Sequence, residues 1–511
     1  MKAFAKIAPL LFLLSALAAA RQLDRRWNAE PYLRGADAYY YALQANYWAK
    51  TGAVKIPDSS VLHRITGTLQ KLGWDSEGAV RAWESASLCL FLLLLLGLAI
   101  IPGRGLNWHC ALLLGYAGLS PSLLFLAIEF PKFFLMLMAL PLWFYPLALR
   151  RPQAWLAWTM AGGTCLLHRG ALPLALAFSA GLLVSQLQER GKLSRKFWWL
   201  AALGTALAIG AAFFPGDRFR FLDLQRLGWQ QPRPGLLSLL QRRQLPPVLK
   251  AEILVSLAFL GFEIRRFGTR AKGLSHRVWP LLALLLPALF PFGSEEVFGA
   301  GERYAILLPA LVILGALSLE GQIPAETNWN WAQALCVALL AALAPLSASR
   351  RIDLAHPRSL DPEFASFASV TAELAPLDIP MLVAQKGLVF YYKFRLMREA
   401  FPYEPEPHWN KSRIWRVTSQ LTVDELQYYA PEGCGFFSGE LKGLVTPGFS
   451  LVREDCWVRL RAAIPREVDP DLYERAWQST LNPSRPRPAF LYPKHAEDKD
   501  EEFPALPPKK I

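Results

Sequence analysis

The sequence predicts a polytopic α-helical membrane protein with a smaller α/β domain in its C-terminal part, and three observations carry that expectation. The 511 residues are 53% hydrophobic and 19% charged, and the apolar residues fall in long blocks instead of at amphipathic spacing. Much of the basic charge behind the net +14 lies in short loops between those blocks, as in "LRRP" (149–152), "QERGKLSRK" (188–196) and "EIRRFGTRAKGLSHR" (263–277). That is the distribution of cytoplasmic anchors, and it argues against nucleic-acid binding. After residue 350 the composition turns to mixed helical and strand-like runs.

A bilayer core takes about 20 apolar residues per helix, with about 17 tolerated, and by that ruler the chain holds about eleven spans. They lie near 4–20, 86–103, 108–128, 133–149, 153–167, 171–187, 197–214, 247–262, 278–292, 303–319 and 330–347. The first, in "MKAFAKIAPLLFLLSALAAARQ", reads either as a cleaved signal peptide or as an uncleaved span, and the polytopic remainder favours the span. Both readings put Asp37 outside. With the N-terminus inside, the three basic loops are cytoplasmic. Two loops run against the pattern: "EGQIPAETNWN" (320–330) has no Lys or Arg, and the external loop 215–246 is rich in Arg, although long loops translocate regardless of charge.

Residues 1–349 thus form a membrane domain with a large first external loop at 21–85, residues 350–465 an extracytoplasmic α/β domain, and 466–511 a disordered tail rich in Pro and charge. In the first loop "TGAVKIPDSS" and "LGWDSEG" read as turns, and "VLHRITGTLQKLG" and "EGAVRAWESAS" as amphipathic stretches suited to lying along the membrane surface. In the C-terminal domain "IPMLVAQKGLVFYY" and "GFSLVREDCWVRL" contain strand-like runs, and "TVDELQYYA" looks helical. Four cysteines, Cys89, Cys110, Cys165 and Cys336, fall in apolar blocks. The other two, Cys434 and Cys456, are natural disulfide partners in an oxidising compartment.

Four polar stretches interrupt the apolar pattern where chemistry is possible. In "GADAYYYALQANYWAKTG" (35–52), Asp37 opens a helix-compatible run in which Tyr41, Gln44 and Trp48 recur at three- and four-residue spacing. An Asp after Gly-Ala is also a good helix N-cap, and the tyrosines suit an anchor at the membrane surface. Glu129, in "LLFLAIEFPKFFLML", sits at the external end of the third span beside Pro131 and Lys132; an interfacial pair with Lys132 is the plainer alternative. In "CLLHRGALPL", His168 and Arg169 mark an external turn. Arg169 suits phosphate oxygens, or merely snorkels to the headgroups. "FGSEEVFGAGERYAILL" holds Glu295, Glu296, Glu302 and Arg303 on a glycine-rich external loop. That loop reads either as solvated charge or, through Arg303 nearest the span, as a further phosphate contact.

The expected topology puts Asp37, Glu129, Lys132, His168, Arg169, Glu295 and Arg303 on one side of the membrane. Sugar transfer from a lipid phosphate requires such a set: one carboxylate removes the acceptor's proton, and cationic groups or a metal stabilise the departing phosphate.

On these residues the sequence resembles the GT-C superfamily of integral-membrane glycosyltransferases, which includes oligosaccharyltransferase catalytic subunits and protein O-mannosyltransferases. The resemblance rests on "GADAYYYALQANYWAKTG", on "IPDSSVLHRITGTLQKLG" in the same loop and on "IEFPKFF" at the next external turn, and covers roughly 1–350. It implies a polyprenyl-phosphate-linked sugar donor, a lipid, glycan or protein acceptor on the outer face, and inverting transfer. A bacterial inner membrane suits such a donor, and an odd number of spans places the C-terminal domain, like the site, on the periplasmic side. By position Asp37 matches the first-loop catalytic acid, Glu129 the second-loop acid, and Glu295 or Glu296 the acid that some members place in a late external loop.

There are departures. Metal-dependent members often carry two acids close together in the second loop, whereas Glu129 stands between Ile128 and Phe130; a divalent metal, Mg or Mn, at Asp37 and Glu129 is therefore left open. "IWRVTSQLTVDELQYYA" offers Trp415 but no "WWD" triplet, which disfavours transfer of oligosaccharide to asparagine. The rival reading is a transporter or flippase of a lipid-linked or anionic substrate. Transporters bury polar groups near the bilayer midplane on broken helices, whereas here the span interiors read as nearly free of charge. A scaffold displaying the C-terminal domain would leave the elaborate first loop unexplained.

Overall fold

The computed structural model describes residues 32–33, 35, 37–56, 60–100, 108–149, 152–168, 170–190, 235–241, 247–268, 275–289, 300–320, 333, 335–336, 339–340, 364–384, 386–401, 405, 408–418, 434, 436–439 and 449–463. They fall into two compact units. One holds the described residues of Ala45–Arg358, and the other combines Tyr32–Gln44 with those of Ser359–Ile511.

The first unit is helical. After α1 (Ala38–Thr51), whose second half it contains, come α2 (Val61–Lys71), α3 (Ser76–Ile100), α4 (Trp108–Leu119), α5 (Pro121–Glu129), α6 (Pro131–Ala148), α7 (Ala154–Leu167) and α8 (Ala171–Arg190). Then follow α9 (Gly235–Gln241), α10 (Pro247–Gly268), α11 (Ser275–Leu284), α12 (Leu286–Leu289), α13 (Ala300–Ile306) and α14 (Leu308–Glu320). Among the described residues Ser76–Ile100, Pro131–Ala148 and Ala171–Gln188 are each long and apolar enough to cross a membrane, and α4 and α5 are so only taken together, with a bend of 42° between them. α7, α10, α11 with α12, and α13 with α14 occupy the positions of four further expected spans. The expected spans at 4–20 and 197–214, and most of that at 330–347, lie outside the described residues.

One expectation for the first loop is corrected. "EGAVRAWESAS" does not lie apart along a surface: it is the beginning of α3, continuous with the span. At 1.5 Å per residue a helix of that length is about 37 Å long, more than the hydrocarbon core, so its polar start extends into the headgroup layer. The preceding turn at 72–75 leaves Leu72 74% and Trp74 51% exposed, side chains suited to that layer. Helix contacts are close where side chains are absent. A Cβ at Gly181 of α8 would come within 2.5 Å of Pro280 Cα in α11, so the two backbones pack directly.

Three charged residues at or near the expected spans are buried: Glu252 within the expected span 247–262, and Glu263 and Arg277 at the two ends of the basic loop 263–277. Each is held by protein groups. Glu252 of α10 accepts from Tyr116 Oη, Ser120 Oγ and Ser122 Oγ, and from the Ser122 N–H at 2.8 Å. Glu263 accepts from Gln333 Nε2 at 2.6 Å. Arg277 donates to the carbonyls of Leu147 and Ser318 at 2.9 and 2.7 Å, placing a cation against the C-terminal ends of α6 and α14.

The second unit is α/β. It contains α15 (Phe364–Leu374), β1 (Met381–Val383), α16 (Lys386–Leu396), β2 (Ala400–Phe401), β3 (Ile414–Thr418), β4 (Phe436–Gly439), β5 (Phe449–Arg453) and α17 (Glu454–Ala463). The sheet order is β2-β1-β3-β5-β4; β1 is parallel to β2 and β3, and β5 is antiparallel to β3 and β4. The run "GLVFYY", strand-like in sequence, is helical in α16. Parallel neighbours β1 and β2 cannot be joined by a tight turn, and this helix makes the crossover. The helix-like "TVDELQYYA" and the tail 466–511 lie outside the described residues. Arg416 of β3 forms a buried two-point pair with Glu454, both bonds 2.8 Å, tying the sheet to α17.

Tyr32–Gln44 belongs to this unit although the sequence assigns it to the first loop of the membrane domain. Two of the tyrosines expected at a membrane surface, Tyr39 and Tyr41, are buried in protein, and Tyr40 is half-buried. Tyr39 is 1% exposed, with its ring edge-on to Tyr391 at 4.7 Å and beside Phe394 at 5.4 Å. Tyr40 lies 5.0 Å from Phe390. Each such ring pair adds about 0.5–1.5 kcal/mol beyond the burial of apolar area.

Cys434 and Cys456 are thiols in this structure and stand within hydrogen-bonding reach of each other. Burial pushes the Cys434 thiol up to about 12, and the bond to Cys456 acts in the same direction. The group is therefore a poor nucleophile near neutral pH. In protein purified without reductant, non-reducing peptide mapping is expected to recover the two as one cross-linked pair; recovery of both as separate free thiols would reject the disulfide. In the helical unit, Glu252→Leu orphans several buried donors and is expected to cost on the order of 3 kcal/mol. Thermal unfolding in detergent reads that loss, and a wild-type midpoint would show that the donors find other partners.

Candidate functional site

Two breaks in the helices of the first unit, and one short helix, build the site. At the first break only Phe130 separates α5 from α6, and its φ of −132° and ψ of 58° end one helix and start the next. Glu129 is the last residue of α5 and is 3% exposed, while Lys132 stands in the first turn of α6. At the second break His168 ends α7 with extended φ and ψ of −157° and 129°. Its Nδ1 accepts the Gly170 N–H at 2.9 Å, so in the neutral ring Nε2 carries the proton.

Aromatic rings join these breaks to α13. Phe133 lies 5.9 Å from the His168 ring, edge-on, and 5.7 Å from Tyr304. Tyr304 Oη donates to the Gly170 carbonyl at 2.8 Å. The Arg303 guanidinium lies 4.3 Å over the Phe130 ring, a cation–π contact that holds the charge without neutralising it. Glu302 is buried and accepts from Ser238 Oγ at 2.6 Å. The Gly170 position needs a glycine, because a Cβ there would come within 2.8 Å of His168 Nδ1 and 3.3 Å of the Phe133 ring.

Four sequence candidates, Glu129, Lys132, His168 and Arg303, therefore gather at one end of the helices. α6 starts at this end, and Arg277 binds the carbonyl of Leu147 near its other end, so the basic anchor and the site stand at opposite ends of that helix. Arg169, Glu295 and Glu296 lie outside the described residues. Asp37 belongs to the α/β unit, where its carbonyl accepts the Tyr41 N–H at 3.2 Å. Its backbone thus has the place of a helix N-cap. Phe130, Phe133, Gly170, Tyr304 and Ser238 were not singled out from sequence. The only signals were a glycine directly after His-Arg and a tyrosine directly after Arg303.

Lys132, His168 and Arg303 are the residues at this end whose chemistry suits a phosphate, and the start of α6 adds its own partial positive charge. Glu129 supplies a carboxylate beside them. Among the described residues no group of three His, Cys, Asp or Glu side chains converges as a divalent ion requires.

No known protein-family model matches this sequence, and no curated protein does. Solved structures do. ArnT from Cupriavidus metallidurans in the apo state is similar at a TM-score of 0.50 and 14% identity, over 88% of this chain and 98% of that one. The same protein bound to undecaprenyl phosphate gives 0.51 and 14%, over 87% and 97%. The mycobacterial arabinofuranosyltransferase AftD aligns at 0.42 and 16% identity, and the chain spans only 29% of its length. At these identities the likeness to ArnT is one of fold: the chain is an integral membrane protein with a GT-C-like fold.

Proposed function

We propose that this GT-C-like protein is a glycosyltransferase that moves a sugar from a polyprenyl-phosphate-linked donor to a lipid, glycan or protein acceptor on the extracytoplasmic face, inverting the anomeric centre. The observation that carries the reading is the convergence of Glu129, Lys132, His168 and Arg303 at one end of apolar helices, where a lipid-borne phosphate arrives. The likeness in fold to a protein solved with undecaprenyl phosphate supports the same donor class.

In this reaction the acceptor hydroxyl loses its proton to a carboxylate as its oxygen attacks the sugar carbon. The bond from that carbon to the phosphate oxygen breaks, and the phosphate leaves with the electron pair. Asp37 and Glu129 are the two acids proposed for the proton, and Arg169, with Lys132, His168 and Arg303, for the phosphate. Glu295 and Glu296 are proposed as late-loop acids that hold the acceptor. A general base contributes about 10²–10⁴ in rate, and preorganised cations act on charge that develops in the transition state. A bacterial inner membrane, with site and α/β unit on the periplasmic side, suits such a donor.

One observation favours the transporter or flippase: a bent span beside a buried acid, Glu252. Against it, the Glu252 oxygens are taken by four donors of the protein itself, whereas a transport site needs groups that a substrate can engage and release.

Purified wild type, Asp37→Ala and Glu129→Gln, offered radiolabelled sugar on a panel of polyprenyl phosphates, test the reading. Wild type is expected to transfer, and the variant lacking the true base to lose about 10²–10⁴ in kcat. Arms with EDTA and with manganese read metal dependence directly. Transfer by none of them, across a broad panel of donors and acceptors, would favour the transporter. Gly170→Ala pushes the His168 ring from its place and is expected to raise the donor KM about tenfold, the worth of one hydrogen bond of about 1.4 kcal/mol; an unchanged KM removes His168 from the donor site.

A further inference from the structure

We infer that the α/β unit holds the Asp37 segment in its working position, with Tyr39, Tyr391 and Phe394 as positioning residues. The inference rests on the glycosyl-transfer reading for its catalytic meaning, and on contacts inside one unit for its geometry.

Asp37 directly precedes α1 and lies between two anchored segments. On its C-terminal side Tyr39 is buried against the Tyr391 and Phe394 rings of α16, and Tyr40 meets Phe390 of the same helix. On its N-terminal side Tyr32 stacks edge-on against Tyr391 at 6.3 Å, and the Leu33 N–H donates to Tyr39 Oη at 3.4 Å. The two arms are therefore tied both to each other and to α16. Between them Gly35 takes a φ of +100°, a turn that side chains with a Cβ rarely adopt, and its carbonyl accepts the Ala38 N–H at 3.2 Å. A carboxylate on so short and doubly anchored a turn has few positions open to it.

The aromatic face of α16 is what an α/β domain would cover with its own neighbouring chain. Here a segment from the other end of the sequence covers it. Ring-edge packing of this kind has an angular preference as well as an apolar one, so it sets the orientation of the turn and not only its presence. Base catalysis is sensitive to such orientation, because a displacement of about 1 Å at the reacting group can cost about 10² in rate.

The test uses full-length protein in detergent: wild type, Tyr391→Ala, Tyr391→Phe, and Asp37→Cys alone or combined with Tyr391→Ala. Tyr391→Ala is expected to lower kcat at least tenfold with donor KM within twofold of wild type. Tyr391→Phe keeps the ring and is expected to restore most of the rate. A soluble maleimide is expected to label Asp37→Cys several-fold faster in the Tyr391→Ala background, a readout that needs no activity. Should Tyr391→Ala fail to accumulate, Phe394→Ala removes the second ring against Tyr39 and reads the same quantities. Wild-type kcat and unchanged labelling would overturn the inference, as would faster labelling with wild-type kcat. If wild type transfers no sugar, the glycosyl-transfer reading and the catalytic role both fall, while the labelling contrast still decides whether α16 holds the segment.

Discussion

Every break in an apolar helix must account for its backbone hydrogen bonds, and the helical unit is organised around how it does so. Within a bilayer no water is available to take an unpaired N–H, so irregular backbone survives only where protein groups replace it. At the start of α5, Pro121 has no N–H, the Ser120 side chain takes that of Leu123 and Glu252 takes that of Ser122. At the start of α6 a second proline avoids the problem, and the Phe130 N–H still reaches back to Leu126. At the turn into α8 the His168 ring takes the Gly170 N–H and the His168 carbonyl that of Ala171. The polar residues at the site are thus partly the means by which the helices stop, which is why functional candidates and helix ends coincide.

That coincidence explains what could be read from the sequence. Among the described residues hydropathy located the membrane helices because each is a continuous apolar block, and polar residues interrupting the blocks marked the breaks at Glu129 and His168 and the short helix that carries Arg303. The contacts between those turns were hidden. Phe133 and Tyr304 lie in apolar runs where a ring that faces lipid and a ring that faces a neighbouring helix look alike. Glu252 lies near the start of its block with no sequence pattern to mark a partner; only the fold brings the Ser120 region to it. The run "GLVFYY" was ambiguous for a different reason. A short apolar stretch suits strand or helix equally, and the sheet connection decided it.

The largest departure is the division of the chain. Sequence order places the Asp37 segment in a loop of the membrane domain, and nothing local marks it as part of a unit formed by residues far downstream. Its tyrosines carry the information, but the same residues read as a membrane-surface anchor because both environments favour a ring that is apolar in body and polar at one edge. Burial distinguishes them, since Tyr39 is enclosed and Ala42 and Gln44 are fully covered.

A unit assembled from the two ends of a chain is also assembled late. Ribosomes add roughly 5–20 residues per second, so tens of seconds separate the emergence of Tyr39 from that of Tyr391, during which the early segment has no partner. Over that interval the acid-bearing turn is unformed even though the first spans are already made. A truncated product ending before α16 would have most of the membrane helices and lack the ring contacts that hold the Asp37 turn, so that turn is completed only in chains that reach α16.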